Sequence, residues 1–168
     1  MFMKKTIQHI ALLTMAVMAL SSCSKTQKVS KTYAYASYET TCLGSGHDGS
    51  ETVRAWGSGN TKAEAIEQAR KNAVYDVVFK GIKGKDCTVS AIVHEVNAAE
   101  RYADYFNPFF SVGGEYTRFC KVEMGAPKPL IESKGTNRVS YGVVITVDRA
   151  ALKSQLAKDG ILSENYAY

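Results

Sequence analysis

The fold is decided by residues 53–82, which read VRAWGSGNTKAEAIEQARKNAVYDVVFKGI. A strand-like run through Trp56 gives way to Gly57 and Gly59, which indicate a turn. Thr61 and Glu64 then form a capping box, in which the threonine hydroxyl accepts a hydrogen bond from a free backbone N–H and the glutamate reaches back toward the turn. This pattern predicts that a helix begins here.

The predicted helix has one narrow apolar face. Apolar residues recur along it at intervals of three and four: Ala65, Ile66, Ala69, Ala73, Val74 and Val77. This spacing is typical of an amphipathic helix, and the three alanines keep the face thin enough for the helix axis to lie close to a sheet. Gly81 predicts a left-handed end to the helix.

The C-terminal part of the chain also pairs a strand with a capped helix. Residues 139–147 place an apolar side chain at every second position, which predicts a half-buried strand. Asp148 is placed to cap a second helix, which carries Leu152 and Leu156 and ends at Gly160.

Shorter elements account for the rest of the chain. In chain order they are strands at 38–43 and 51–56 joined as a hairpin, a strand at 88–94, a helix at 98–106 ended by Asn107 and Pro108, a strand at 117–124 and a loop at 125–137. The whole order predicts one α+β domain, a mostly antiparallel mixed sheet on which the alanine-rich helix and the C-terminal helix pack.

The N-terminus carries an export signal. Lys4 and Lys5 precede an apolar run over residues 10–20, which is too short to cross a bilayer and is typical of a secretory signal peptide. The run ends in Leu-Ser-Ser-Cys, which resembles the lipobox of bacterial lipoproteins, where the leader is cleaved before an acylated cysteine. We therefore predict a signal peptide at 1–22, a lipidated tether at 23–37 and a single domain at 38–168.

Cys23 is the predicted lipidation site and the link to the membrane. Each buried acyl CH₂ contributes about 0.8 kcal/mol, so three acyl chains hold a protein at a bilayer almost permanently. Ser24 follows, where an aspartate would resemble an inner-membrane retention signal, so the resemblance implies the outer membrane with the domain in the periplasm. The alternative is a plain signal peptide with a cysteine near its cleavage site.

Composition excludes several classes of protein. The 168 residues are 45% hydrophobic and 22% charged, as in a globular domain, which excludes a disordered chain and a multi-pass membrane protein. The net charge of +5 comes without clustered basic and aromatic side chains, so we expect no nucleic-acid partner. With Cys23 lipidated, Cys42, Cys87 and Cys120 leave at least one thiol unpaired, and all three pairings stay open.

No motif predicts a catalytic site, a metal site or a cofactor. Gly57 and Gly59 before a helix resemble part of a dinucleotide fingerprint, but its third glycine is missing and Thr61 is better explained as a cap. The cysteines and histidines lack the CxxC or HExxH spacing of metal sites, and His47 lies in a glycine-rich hairpin tip.

Aromatic residues crowd the middle of the chain. Seven lie within residues 102–119, namely Tyr102, Tyr105, Phe106, Phe109, Phe110, Tyr116 and Phe119. Because exposed rings mark protein interfaces, we predict Tyr105, Phe106, Phe109 and Phe110 as partner-binding residues. The alternative is that the rings fill the open end of the sheet, since a single layer of helices leaves a core to be filled.

Residues 53–82, together with residues 143–162 (VVITVDRAALKSQLAKDGIL), resemble the small envelope lipoproteins grouped with the N-terminal domain of the flagellar-assembly protein FlgT. The resemblance implies a protein without enzymatic activity that associates with other envelope components or with itself. We therefore predict an outer-membrane-anchored periplasmic lipoprotein that serves as a binding or structural module. The alternative is a small-ligand or glycan-processing envelope enzyme, with its site between the aromatic segment and the His47 loop.

Overall fold

The structure, a computed structural model, describes residues 39–85, 87–123 and 138–162, and the backbone of residues 128–132. The predicted signal peptide, the tether and Cys23 lie outside these residues. The described residues from Glu39 onward belong to one compact unit.

Seven strands in the described part of the chain form one sheet. They are β1 (Thr41–Ser45), β2 (Ser50–Gly59), β3 (Ile82–Lys83), β4 (Thr88–Val89), β5 (Cys120–Val122), β6 (Lys128–Glu132) and β7 (Val139–Asp148). Their order is β4-β3-β1-β2-β7-β5, and β6 also pairs with β7. Only β1 and β3 run parallel among these pairs, which confirms the predicted α+β fold with a mostly antiparallel mixed sheet.

Four α-helices lie between or after the described strands. They are α1 (Lys62–Tyr75), which continues as a π-helical turn (Asp76–Lys80), α2 (Ala98–Arg101), α3 (Ala103–Phe109) and α4 (Arg149–Lys158). A 3₁₀-helix (Glu115–Phe119) precedes β5. Among the described residues, no helix combines the length and the apolar content that crossing a bilayer requires.

The centre of the sheet is the pair of ten-residue strands β2 and β7. They pair antiparallel along their full length, from Ser50 opposite Asp148 to Gly59 opposite Val139. Their inward side chains are almost completely buried and form the middle of the core: Val53, Ala55, Val143, Ile145 and Val147. The predicted alternation of the last strand is therefore confirmed.

Helix α1 packs close to the sheet because both surfaces are built from small residues. Ala65, Ala69 and Ala73 are fully buried. Beneath them, a Cβ on Gly57 would lie 2.1 Å from the carbonyl oxygen of Ala65 and 2.3 Å from the backbone nitrogen of Ala69. This close approach requires glycine at position 57, so Gly57 and the alanines serve packing, as the thin helix face predicts.

Both predicted helix caps are confirmed. The Glu64 N–H donates a hydrogen bond to Thr61 Oγ1 at 3.2 Å, and the Glu64 side chain accepts one from the Asn60 N–H at 2.8 Å. The Ala151 N–H donates to Asp148 Oδ1 at 2.9 Å. These side chains satisfy backbone groups that a helix start leaves without partners.

The predicted strand over residues 88–94 is wrong beyond its first two residues. The π-helical turn after α1 contains backbone carbonyl groups that accept hydrogen bonds from outside the helix. The donors are backbone N–H groups of the segment after β4. The Ile92 N–H donates to the Val77 oxygen at 3.1 Å, and the Val93 N–H donates to the Val78 oxygen at 2.8 Å. These long-range bonds replace a strand ladder. Gly81 has the predicted positive φ, at 73°, but its ψ of 164° is extended.

The predicted helix stop at Asn107 and Pro108 is also wrong. Helix α3 continues through Pro108 to Phe109. Proline has no N–H to donate, but the carbonyl it would have bonded belongs to Asp104, which is exposed to water. Burial of Phe106 and Phe109 on one face of α3 favours the continued helix.

The region after α3 departs from prediction in two places. The strand predicted at 117–124 begins only at Cys120, because Glu115–Phe119 form the 3₁₀-helix that buries Tyr116 and Phe119. The loop predicted at 125–137 contains β6, whose backbone pairs with β7.

Candidate functional site

The predicted partner-binding rings lie in or against the core. Phe106 and Phe109 are each 4% exposed, and Tyr105 and Phe110 are half-buried. The prediction that these rings are exposed for a partner is therefore wrong for Phe106 and Phe109. These two rings fill the core, as the alternative prediction from the sequence states. Contact of a partner with Tyr105 or Phe110 stays a prediction.

Burial of these rings has a clear physical cause, because aromatic side chains from distant elements meet around them. The ring centroid of Phe106 lies 4.8 Å from that of Phe79 in the π-helical turn, in an edge-on arrangement. The centroid of Phe109 lies 6.1 Å from that of Phe119 in the 3₁₀-helix, nearly parallel. Such pairs stabilise the fold beyond simple area burial. The aromatic segment therefore joins the π-helical turn after α1 to the 3₁₀-helix before β5.

Tyr105 links α3 to Asp159, the residue that directly follows α4. Its hydroxyl donates a hydrogen bond to Asp159 Oδ2 at 2.6 Å. Burial, and then this hydrogen bond, raise the pKa of Tyr105 above its usual value, and the same bond lowers the pKa of Asp159. At neutral pH the Tyr105 phenol is therefore protonated and the Asp159 carboxylate is ionised. Their hydrogen bond serves to hold the fold together.

Glu67 is the polar centre of the contact between α1 and the loop before the 3₁₀-helix. It accepts a hydrogen bond from the hydroxyl of Tyr116, which is fully buried, and pairs with Arg70 at 3.0 Å. Partial burial raises the pKa of Glu67, but the bonds from Tyr116, Arg70 and the Gly113 backbone outweigh it, so its pKa lies below the usual value.

The lowered pKa of Glu67 predicts an acid-sensitive contribution to stability. Its stabilising effect is complete above the unfolded-state pKa of 4.5 and is lost as the pH falls through the lower folded-state value. We expect Glu67→Gln to lower the free energy of unfolding by about 1 kcal/mol at pH 7 and by less at pH 3, measured by urea unfolding. Glu115→Gln, which removes an exposed ion pair with Arg118, is the control. An equal loss at both pH values would contradict this account.

The three cysteines of the described domain are in two states. Cys42 of β1 and Cys87, which precedes β4, form a disulfide with their Cα atoms 5.8 Å apart. Cys120 is a buried free thiol. The unpaired thiol predicted from the odd count is confirmed, and the structure selects one of the three pairings that the sequence leaves open.

Cys120 has the properties of a core residue. Burial raises the pKa of its thiol above the usual value, although the nearby charge of Arg70 acts in the opposite direction. A protonated, buried thiol is a poor nucleophile. The structure therefore gives Cys120 a packing role at the start of β5.

Thiol counting tests both the disulfide and the burial of Cys120. With native protein we expect no reaction with a thiol reagent within minutes, and after unfolding without reductant we expect one reactive thiol, Cys120, if Cys23 is acylated. Unfolding with reductant should expose two more. In the acylated protein, fast labelling of the native state, or more than one reactive thiol before reduction, would contradict the account.

His47 does not share a site with the buried rings. It is exposed at the tip of the β1–β2 hairpin, whereas Phe106 and Phe109 face the core. Among the described residues, no three histidine, cysteine or acidic side chains come together as a metal-binding group. The geometry therefore adds nothing to the enzyme alternative built on the His47 loop.

A broad cleft of about 640 Å³ lies beside the N-terminal half of α1, which we call the α1 cleft. Its lining includes Glu64, Glu67, Lys71, Val112 and Arg138. The two carboxylates already serve the fold, since Glu64 caps α1 and Glu67 binds Tyr116. Val112 is 85% exposed at the edge of this cleft. The α1 cleft is thus a groove lined by both polar and apolar groups, and its two carboxylates already have partners within the fold.

A second cleft, of about 380 Å³, lies between the segment before α2 and the end of the described chain, and we call it the α2 cleft. Four nearly buried aliphatic side chains form its floor, namely Ile92, Val93, Ile161 and Leu162. Its rim carries Glu95 and Arg101, which form an ion pair, together with His94 and Tyr102. An apolar floor with a few polar groups at the rim is typical of small-ligand sites.

The sequence does not predict the α2 cleft. Its patterns place residues 92–94 in a strand and end the last helix at Gly160, before Ile161 and Leu162. The rim depends on Asn97, the single non-glycine residue with positive φ (59°) in the described chain, because it turns the backbone between Glu95 and Arg101. Asparagine tolerates this conformation better than most residues, but that signal alone indicates only a turn.

Comparison with protein-family models, with curated proteins and with solved structures finds no match to this chain. The resemblance to the envelope lipoproteins grouped with FlgT therefore stays a prediction from the residues that carry it.

Proposed function

We propose that the chain is a bacterial envelope lipoprotein, anchored through acyl chains on Cys23 to the outer membrane, whose domain is a non-enzymatic binding module in the periplasm. The anchor follows from the lipobox-like sequence before Cys23. Its partners are the membrane and a ligand, another envelope protein or a second copy of the chain.

The observation that carries the proposed location is the Cys42–Cys87 disulfide. Disulfides form and persist in oxidising compartments such as the bacterial periplasm and are rare in the cytosol. Two features far apart in the sequence, an export signal at the N-terminus and a disulfide in the domain, therefore support the same compartment.

The α2 cleft supports the proposed binding role. It combines an aliphatic floor with an ion pair at its rim, and its volume of about 380 Å³ lies within the range of small-molecule pockets. Phe106 and Phe109, two of the rings predicted to bind a partner, are buried in the core instead, so they are not available as a competing binding surface.

Cys23→Ala tests the anchor directly. In cells, we expect the variant to carry no acyl chains and to keep its leader uncleaved, because acylation of Cys23 precedes cleavage in the lipoproteins that this segment resembles. Fatty-acid labelling measures the first effect, and the size of the protein on an immunoblot measures the second.

The matched control is Ser24→Ala, which changes the neighbouring side chain and keeps the cysteine. It should be acylated and have a cleaved leader. If Cys23→Ala is acylated and cleaved as the wild-type protein is, the proposed lipid anchor is wrong.

A further inference from the structure

We propose that the α2 cleft binds a small zwitterionic molecule with an apolar side chain, that is, an apolar α-amino acid either free or in a short peptide. This inference deepens the binding role proposed above and rests on it. The floor of the cleft would bind the apolar side chain of the ligand, and the rim would bind its two charged groups.

The floor of the α2 cleft selects an apolar group. Ile92 and Val93 are each 4% exposed, and Ile161 and Leu162 close the cleft from the segment that follows α4. None of these four side chains offers a hydrogen bond. The group that occupies the floor is therefore aliphatic or aromatic, and its burial supplies the non-directional part of the binding free energy.

The rim of the α2 cleft carries one negative and one positive group. Arg101 and Glu95 form an ion pair, and their side chains keep 64% and 34% of their surface exposed. The backbone N–H of Arg101 donates a hydrogen bond to the backbone carbonyl oxygen of Asn97 at 2.9 Å. The turn at Asn97 therefore holds the side chains of Glu95 and Arg101 on the same side of the cleft. The pair is thus both preformed and accessible.

An exposed ion pair opens at little cost, since such pairs contribute about 0 to 1 kcal/mol. A simple anion would take Arg101 from Glu95 and leave the carboxylate without its partner, and a simple cation would do the reverse. A zwitterion satisfies both, because its carboxylate binds the guanidinium and its ammonium group binds the Glu95 carboxylate. Charge complementarity at the rim therefore selects a zwitterion over either single charge.

The test is a calorimetric titration of the full chain, purified in detergent, with three probes. L-leucine carries both charges and the apolar group, leucyl-leucine separates the charges by one peptide unit, and N-acetyl-L-leucinamide keeps the apolar group without charges. We expect saturable binding of leucine or leucyl-leucine, and binding of the uncharged probe at least about tenfold weaker. The tighter of the first two probes identifies the free amino acid or the short peptide as the ligand form.

Two variants of the rim and two matched controls complete the test. Arg101→Gln and Glu95→Gln should each weaken binding of the tighter zwitterion about tenfold, since each removes a charge-assisted hydrogen bond. Arg118→Gln and Glu115→Gln remove a comparable exposed ion pair on the 3₁₀-helix and should change the affinity less than about twofold.

Two results would overturn the inference: no saturable binding of either zwitterion, or equal affinity in the rim variants and the controls. Thermal unfolding of each variant confirms that it is folded, which is expected because both rim side chains are exposed. Detergent-purified protein binds or fails to bind independently of its location in cells. Failure here therefore leaves the Cys23→Ala result, and with it the proposed anchor, intact.

Discussion

Replacing Cys42 and Cys87 together with alanine is expected to lower the free energy of unfolding by about 4 kcal/mol. The disulfide closes a loop between residues 45 positions apart, and the chain-entropy relation gives a stabilisation of this size for a loop of that length. The bridge joins β1 to the segment before β4, whose two-residue pairing with β3 contributes few hydrogen bonds of its own. Denaturant unfolding of the wild-type and variant proteins measures the difference.

The control for the disulfide variant is Cys120→Ala, which removes a buried cysteine and leaves the bridge in place. It should cost less than the double substitution. Adding a reductant should lower the stability of the wild-type protein and leave the double variant unchanged. A double variant within about 1 kcal/mol of the wild-type protein would show that the bridge contributes little to the fold.

Phe109→Ala is expected to destabilise the domain by about 3 to 5 kcal/mol, the usual cost of removing a buried phenylalanine ring. Phe109 is 4% exposed and packs between the rings of Phe106 and Phe119. The loss combines the transfer free energy of the ring with the cavity left behind. Urea unfolding followed by circular dichroism gives the value.

Phe110→Ala is the matched comparison, because Phe110 is the next residue and is only half-buried. We expect a clearly smaller loss of stability from it than from Phe109→Ala. If both variants keep the wild-type stability, the rings do not support the core, and the interpretation of residues 102–119 as a partner-binding surface regains its basis.

The parts of the fold that depend on nearby residues could be predicted from the sequence. Thr61 caps a helix whose first turn lies beside it, and Asp148 does the same for α4. The alternation along β7 follows from the two faces of one strand. In each case, the signal and the structure that it predicts lie within a few residues of each other.

The parts that depend on distant residues could not be predicted. Residues 92 and 93 bond to the carbonyls of Val77 and Val78, and nothing near residue 92 indicates that a π-helical turn offers these groups. The choice of Cys87 as the partner of Cys42 likewise depends on how β3 lies against β1. The α2 cleft joins a turn at Asn97 to the end of α4, so its lining becomes visible only in the folded chain.

The most direct measurement of the central proposal, an exported and lipid-anchored binding module, is the intact mass of the protein purified from cell envelopes without reductant. We predict a chain that begins at Cys23, with added mass for a diacylglyceryl group and an N-linked acyl chain, less the two hydrogens lost in forming the Cys42–Cys87 disulfide. A chain that retains residues 1–22, or one that carries an unmodified Cys23, would contradict the account.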